Sequence, residues 1–217
     1  MLRYSVLIYE RTMIRALPQG LSKEQRMHDH DVMDSSNLTA ITASDEVQLI
    51  RSAQHDPGSF GILYRRYVER VFRYVYSRVG SVPEAEDLTA QTFLSALENL
   101  PRFRNNGSFA AWLFTIARSK VMDYFRRRRF TQRIENLADS GKQDPLSEIV
   151  HSERVTALAK FIAELSEEER ELLRLRFLCE VTYSEIAQVL HRSESAVKKA
   201  AQRTLARLHA QMEVFYE

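Results

Sequence analysis

An all-α fold of two small helical domains joined by a flexible linker follows from three features of the chain. Apolar residues return every third or fourth position through most of residues 44–212, the spacing that lays one face of a helix against a core. Helix-start signals recur, most completely at Thr182-Tyr183-Ser184-Glu185, where Thr182 and Glu185 are spaced to satisfy each other's backbone N–H groups in a capping box. Between the two patterned halves lies Asp139-Ser140-Gly141-Lys142-Gln143-Asp144-Pro145, a run of turn formers that fits a domain boundary. The chain therefore divides into an extension (1–43), a first domain (44–130), a linker (131–145) and a second domain (146–217).

Residues 1–43 mix short apolar pieces with Pro18, Gly20 and His28-Asp29-His30-Asp31 and keep no period, so they are expected to be weakly ordered. The His/Asp cluster has no second ligand group and reads as a solvated segment, not a metal site. Helical pattern starts near Ser44 with Val47, Leu49 and Ile50, and Asp56-Pro57-Gly58 breaks it. A second helix is expected over about 59–79, apolar at Phe60, Leu63, Tyr64, Tyr67, Val71 and Val75, with Gly80 just past its end. The third, from about Pro83 to Leu100, sets Phe93, Leu94, Leu97 and Leu100 toward the core. Asn105-Asn106-Gly107-Ser108 turns the chain into a fourth helix, expected over 109–130, with Ser108 as its N-cap.

In the second domain a helix over about 146–165 precedes Ser166-Glu167-Glu168-Glu169, a Ser followed by acids as a helix N-terminus prefers. The short helix that Thr182 starts ends at the tight turn His191-Arg192. Ser193 then caps a long helix over about 194–212. A short helix, a turn of three to four residues and a longer basic helix form a helix-turn-helix pattern. Val197, Ala201, Thr204 or Leu205, and Leu208 would face inward, leaving Glu194, Ser195, Lys198, Lys199, Gln202 and Arg203 outward.

The net charge of +2 conceals strong segregation. Residues 103–133 hold eight Arg or Lys against one Asp, a net of +7, and residues 134–172 hold ten acids against four bases, a net of −6. Four consecutive arginines, Arg126 to Arg129, exceed what a helix C-terminus needs to complement its dipole and suit a polyanion. By contrast no Lys or Arg stands between Arg78 and Arg102, where Glu84, Asp87, Gln91, Ser95 and Glu98 form one polar stripe. An exposed helix usually mixes both signs, so this stripe points to a basic protein partner. The lone Cys179 leaves no intramolecular disulfide and reads as a buried apolar residue. No apolar run approaches the ~20 residues of a bilayer span, and the chain reads as cytoplasmic. No nucleophile–base set, phosphate-cradling loop or metal-ligand spacing is present, so neither an enzyme nor a cofactor is expected.

Taken together, Glu86-Asp87-Leu88-Thr89-Ala90-Gln91-Thr92-Phe93, Phe109-Ala110-Ala111-Trp112-Leu113-Phe114-Thr115-Ile116-Ala117-Arg118, Met122-Asp123-Tyr124-Phe125 with its arginines, Leu165-Ser166-Glu167-Glu168-Glu169-Arg170 and Tyr183-Ser184-Glu185-Ile186-Ala187 resemble the bacterial sigma-70 family. The resemblance covers about Asp45 to Met212 and is strongest to the extracytoplasmic-function (ECF) group, which keeps only sigma regions two and four. It implies a transcription initiation factor whose Asp-Leu-x-x-x-x-Phe helix docks the clamp of core RNA polymerase, with Glu84, Asp87, Gln91 and Glu98 facing the clamp and Leu88 and Phe93 shaping that surface. It further implies that Asn105, Asn106, Phe109 and Trp112 open promoter DNA near minus ten. Arg118, Ser119, Lys120, Arg126, Arg127, Arg128 and Arg129 would hold the opened strand. Region four, seated on the polymerase flap, would read the minus-thirty-five element through Arg192, Ser193, Glu194, Ser195, Lys198, Lys199, Gln202 and Arg203. An anti-sigma factor clamping the two domains is a common arrangement in the family.

Three positions depart from the family pattern. Ser119 stands where Asn is common, Val197-Lys198-Lys199-Ala200 where Val-Lys-Ser-Arg is usual, and His191 where Gly is frequent. They imply retained phosphate affinity with a promoter preference of the chain's own. Two other readings compete: a helix-turn-helix regulator that binds duplex operator without polymerase, and a protein-interaction module whose basic faces are merely solvated.

Overall fold

The computed structural model describes residues 43–104, 107–135 and 153–216, and among them the fold is all-α, with eight helices and no strand. The extension ahead of Ala43, the pair Asn105-Asn106, and residues 136–152, which hold most of the expected linker, lie outside the described residues. Helices α1 (Ala43–Ala53), α2 (Pro57–Val79), α3 (Val82–Asn99) and α4 (Phe109–Glu135) form the first group, and α5 (Glu153–Ala163), α6 (Glu167–Leu173), α7 (Tyr183–Leu190) and α8 (Glu194–Tyr216) the second.

The breaks follow from local chemistry. Asp56 does more than interrupt: its carboxylate accepts the Gly58 and Ser59 N–H groups at 3.1 and 2.7 Å, and Pro57 takes the first helical position, so α2 starts two residues earlier than its apolar period suggests. The side-chain and backbone bonds from Ser59, with that from Gly58, hold the Asp56 carboxyl below its usual range. Gly80, at φ 74°, closes α2 in the left-handed conformation and donates to Tyr76 O. A short 3₁₀ turn, Leu100–Arg102, follows α3, and Gln54, just past the end of α1, pins it by donating to Leu100 O and Phe103 O at 3.1 and 2.8 Å. Helix α4 continues five residues past the expected end at Phe130, because nothing between Phe130 and Glu135 is a helix breaker.

The core of the first group is built where α2, α3 and α4 meet: Leu63, Val71, Tyr74 and Val75 from α2, Ala85, Leu88 and Ala96 from α3, and Leu113, Phe114, Ala117 and Val121 from α4 are all at most 1% exposed. Each full burial of a Leu or Phe side chain stabilises the fold by about 1.5–3 kcal/mol. Two residues expected to face this core do not: Leu94 is 58% and Leu97 40% exposed. The buried arc of α3 is instead completed by Thr89 and Thr92, and the Thr92 hydroxyl satisfies itself on Leu88 O at 2.7 Å. Tyr64 is likewise exposed, its ring edge-on to Phe93 at 4.8 Å.

In the second group, Ser166 and Thr182 both form complete capping boxes, with Glu169 and Glu185. Between them the helix widens into a π-helical turn, Arg174–Leu178, and the chain reverses at Glu180, whose φ is 54°. Cys179 in this turn is fully buried, which pushes its thiol far above the usual range despite the nearby Arg73 and Arg70 guanidinium groups.

Glu169 has a second task beyond its capping box, accepting from Arg207 of α8 at 2.7 Å and from the Thr204 hydroxyl at 3.4 Å. Partial burial pushes its carboxyl up, but bonds from Arg207 and Ser166 outweigh that and bring it from an ordinary 4.5 down to about 2. A folded value below the unfolded one means that the stabilisation is complete above about pH 4.5 and drains away as pH falls toward 2. Glu169→Ala is therefore expected to cost about 1–2 kcal/mol at pH 7. It should also flatten the acid limb of stability between those two values in urea titrations at stepped pH. An unchanged acid limb would contradict the assignment.

Candidate nucleic-acid interface

Three surfaces carry the residues singled out in the sequence. The first is the outer face of α3. Asp87 and Glu98 are exposed, Glu84 and Gln91 half-buried, and Gln91 Nε2 donates to Asp87 Oδ2 at 2.7 Å, one turn apart on the same face. The outward Leu94 and Leu97 lie beside it and make the surface acidic and apolar together. Leu88 and Phe93, expected to shape this surface, are 1% and 4% exposed. They hold α3 in place from beneath and present no area to a partner.

The second surface runs along α4. Trp112 is half-buried in an aromatic cluster, its ring centroid 4.8 Å from Phe103 and 5.6 Å from Phe109. Phe109 is 1% exposed and packs on Tyr67 at 5.3 Å. A ring so enclosed cannot stack on a base, so Phe109 is a core residue and Trp112 with Phe103 forms the accessible aromatic face. Asn105 and Asn106, which would complete this zone, lie outside the described residues. One and more turns along the helix, Arg118 and Lys120 are half-buried and Ser119 is exposed. Arg126 to Arg129 are all exposed; Arg126 pairs with Asp123 at 2.8 Å and Arg128 reaches the Tyr124 hydroxyl at 3.3 Å. Exposed pairs of this kind are worth little and leave the positive potential largely intact.

The third surface is the helix-turn-helix of α7 and α8. Helix α7 ends at His191, which adopts the left-handed conformation at φ 52°, ψ 47°. The Ser193 hydroxyl accepts the Ala196 N–H at 3.2 Å and starts α8. Val197, Ala201, Thr204 and Leu208 are at most 2% exposed and pack inward, so Thr204, rather than Leu205, is the buried residue at that step. Glu194, Ser195, Lys198, Lys199, Gln202 and Arg203 are exposed, with Lys198 paired to Glu194 at 2.6 Å. Arg192, in the turn, reaches Glu168 at 3.5 Å.

Sequence periodicity gave no sign that the second group lies against the second surface. Helix α7 packs on α4 and the π-helical turn on α2. At the centre is Glu171, 4% exposed, whose carboxylate accepts from the Tyr74 hydroxyl at 2.6 Å and from Arg78 at 3.1 Å, and approaches Arg118 at 3.5 Å and Arg174 at 3.5 Å. Burial, followed by the Glu171 charge and hydrogen bond, raises the Tyr74 phenol well above its usual range, so it stays a donor. Around this centre Arg78 also meets Glu167, Ser108 donates to Glu185, and Arg70 donates to Cys179 O at 2.7 Å. Among the described residues no cluster of His, Cys, Asp or Glu could hold a metal, and no helix is long and apolar enough to cross a membrane.

Comparison with known proteins places both groups. Residues 63–131 match sigma-70 region 2 and residues 156–208 match sigma-70 region 4. The ECF RNA polymerase sigma factor BldN of Streptomyces coelicolor is 39% identical over 171 residues, which are 75% of this chain and 65% of that protein, slightly under two thirds of its length. The RNA polymerase sigma factor YlaC of Bacillus subtilis is 30% identical over 155 residues, 69% of this chain and 90% of the relative. The solved structure of CnrH in complex with the cytosolic domain of CnrY shares the fold, with a TM-score of 0.57 at 24% identity over 79% of this chain and 98% of CnrH. The chain belongs to the sigma-70 family of transcription initiation factors, in its extracytoplasmic-function group.

Proposed function

We propose that this chain joins core RNA polymerase, directs it to promoters and helps open the DNA near minus ten, with a division of labour among the three surfaces. The outer face of α3 meets the polymerase clamp through Asp87, Gln91 and Glu98, with Leu94 and Leu97 adding apolar contact. Trp112 and Phe103 receive an unstacked base, and Arg118, Lys120 and Arg126 to Arg129 hold the strand backbone by charge. The exposed face of α8 and Arg192 read the minus-thirty-five element in the major groove while region four rests on the flap. Melting is driven by binding energy, so the chain needs no chemistry of its own. An anti-sigma factor is the further partner, and the cytoplasm, where polymerase and chromosome meet, the site of action.

The observation that carries this reading is α3. A solvent-facing helix with acids and two exposed leucines, and no cation of its own, has no use in a regulator that binds duplex operator alone. Run-off transcription with core polymerase over a promoter library tests the whole reading and gives the sequence preference. Promoter-specific product is expected only when the chain is added. Asp87→Arg is expected to weaken core binding at least tenfold, about 1.4 kcal/mol, in a pull-down titration, while duplex binding by region four stays unchanged. Promoter-independent product, or wild-type core affinity for the variant, would refute it.

A further inference from the structure

The accessible aromatic face of Phe103 and Trp112 is held from outside its own helix. Phe103 stands between the 3₁₀ turn and α4, on a stretch where Pro101, Arg102 and Arg104 are exposed while Leu100 is fully buried. Backbone bonds fix it there. The Phe103 N–H donates to Leu100 O at 3.0 Å, and the Gln54 amide nitrogen directs its two hydrogens to Leu100 O at 3.1 Å and Phe103 O at 2.8 Å. Gln54 is itself firmly placed. Its own N–H donates to Ile50 O, the N–H groups of His55 and Asp56 both donate to Ser52 O, and Ile50 and Ala53 just before it are buried. We propose that Gln54 is a positioning residue for strand capture: it holds Phe103 against Trp112, ring centroids 4.8 Å apart, so that the face receiving the unstacked base is formed before the base arrives. This inference rests on the base-receiving role given above to Trp112 and Phe103.

The needs of α1 and α2 do not explain these bonds. Helix α2 already has its cap in Asp56, and a half-buried glutamine at a helix end can give its amide to water. Gln54 instead reaches carbonyls 46 and 49 residues away and ties separate elements together. Without its amide, Phe103 O loses its bond at 2.8 Å and can turn to water, while Leu100, 0% exposed, keeps the other end of the turn in the core. The fold is then retained and the Phe103 ring gains freedom. A face that must be ordered as its ligand binds captures that ligand more weakly than one already in place. The acidic stripe of α3 and the exposed face of α8 are built on other contacts, so core docking and duplex reading are expected to be independent of Gln54.

Trp112 is the only tryptophan of the chain, so its fluorescence reports the packing of Phe103 directly. Two variants are compared with wild type: Gln54→Leu, which keeps the bulk and removes the donors, and Gln54→Glu, which sets acceptors opposite the two carbonyls. In the free chain, acrylamide quenching of Trp112 is expected to rise about twofold in both, as the Phe103 ring leaves it. With core polymerase added, anisotropy of a labelled minus-ten single strand is expected to show about fivefold weaker binding. Core affinity and upstream duplex binding should stay within about twofold of wild type, and circular dichroism checks the helix content; either variant that folds suffices. Strand binding equal to wild type overturns the positioning role, as does weaker binding with unchanged quenching. A parallel loss of core affinity and duplex binding also overturns it, because Gln54 would then serve the fold as a whole. Trp112→Ala in the same complex separates the two readings. If it binds the strand as tightly as wild type, base capture by this face is wrong and the role of Gln54 falls with it. If it binds weakly while the Gln54 variants bind normally, base capture stands and the positioning role alone is lost.

Discussion

Replacing Phe114 with alanine is expected to remove about 3–5 kcal/mol of stability, the range for deleting a buried aromatic ring that its surroundings cannot refill. The ring is fully buried, stands edge-on to Tyr74 at 5.8 Å and 86°, and has the Arg70 guanidinium 5.8 Å from its centroid. Its loss therefore opens a void beneath the second turn of α4, removes an aromatic pair and takes a cation–π partner from Arg70. Tyr74 and Arg70 are also the residues that reach Glu171 and the Cys179 carbonyl, so the damage extends to the contact between the two groups. Urea denaturation followed by circular dichroism measures it. Phe114→Leu, which conserves most of the volume, should cost less than about 1.5 kcal/mol. A loss below 1 kcal/mol for the alanine variant would mean that the ring does not anchor this core.

The second large effect concerns charge alone. Changing Arg126, Arg127, Arg128 and Arg129 together to alanine is expected to lower the slope of log affinity against log salt for a minus-ten single strand by about 3. At moderate salt this is a fall of roughly a hundredfold or more in affinity. Alanine is the best helix former, so α4 itself should persist, and circular dichroism provides the control. The Arg126–Asp123 pair that is lost is exposed and counts for little. An unchanged salt slope would remove the arginine run from the DNA surface and leave it as a solvated helix end.

Much of the fold could be read from residues whose meaning is local. The capping boxes at Ser166 and Thr182, the end of α2 at Gly80 and the start of α8 at Ser193 are each set by neighbours three or four positions away, and all stand where the sequence places them. The helix-turn-helix surface was legible for the same reason, because inward and outward positions alternate along a single helix. Reading failed where burial is decided by shape. In α3 the sequence offers Leu94 and Leu97 to the core, but the close approach of α2 and α4 selects Thr89, Thr92 and Ala96, small side chains that hydropathy ranks below leucine. Phe109 is offered to a base only by the family resemblance; its helical spacing with Leu113, Ile116 and Ala117 puts it on the core face, where the structure has it. Glu171 was invisible for a third reason. It sits in an acidic run that a helix N-terminus explains completely, and its partners Tyr74 and Arg78 are more than ninety residues away, at separations no local period encodes.

The left-handed His191 at the end of α7 has an implication for how promoter preference and stability change over time. A residue with a Cβ in that conformation costs about 1 kcal/mol relative to glycine. The strain sits in a turn whose geometry is fixed by backbone bonds from His191 N and Arg192 N to the last turn of α7. The side chain at 191 is exposed and separate from the α8 residues assigned to base reading. Position 191 is thus a reservoir of stability that mutation can draw on without altering which sequence is recognised. A lineage exploring new substitutions at Lys198 or Lys199 could offset their cost there, keeping the fold of the DNA-reading unit and the identity of its target on separate evolutionary accounts.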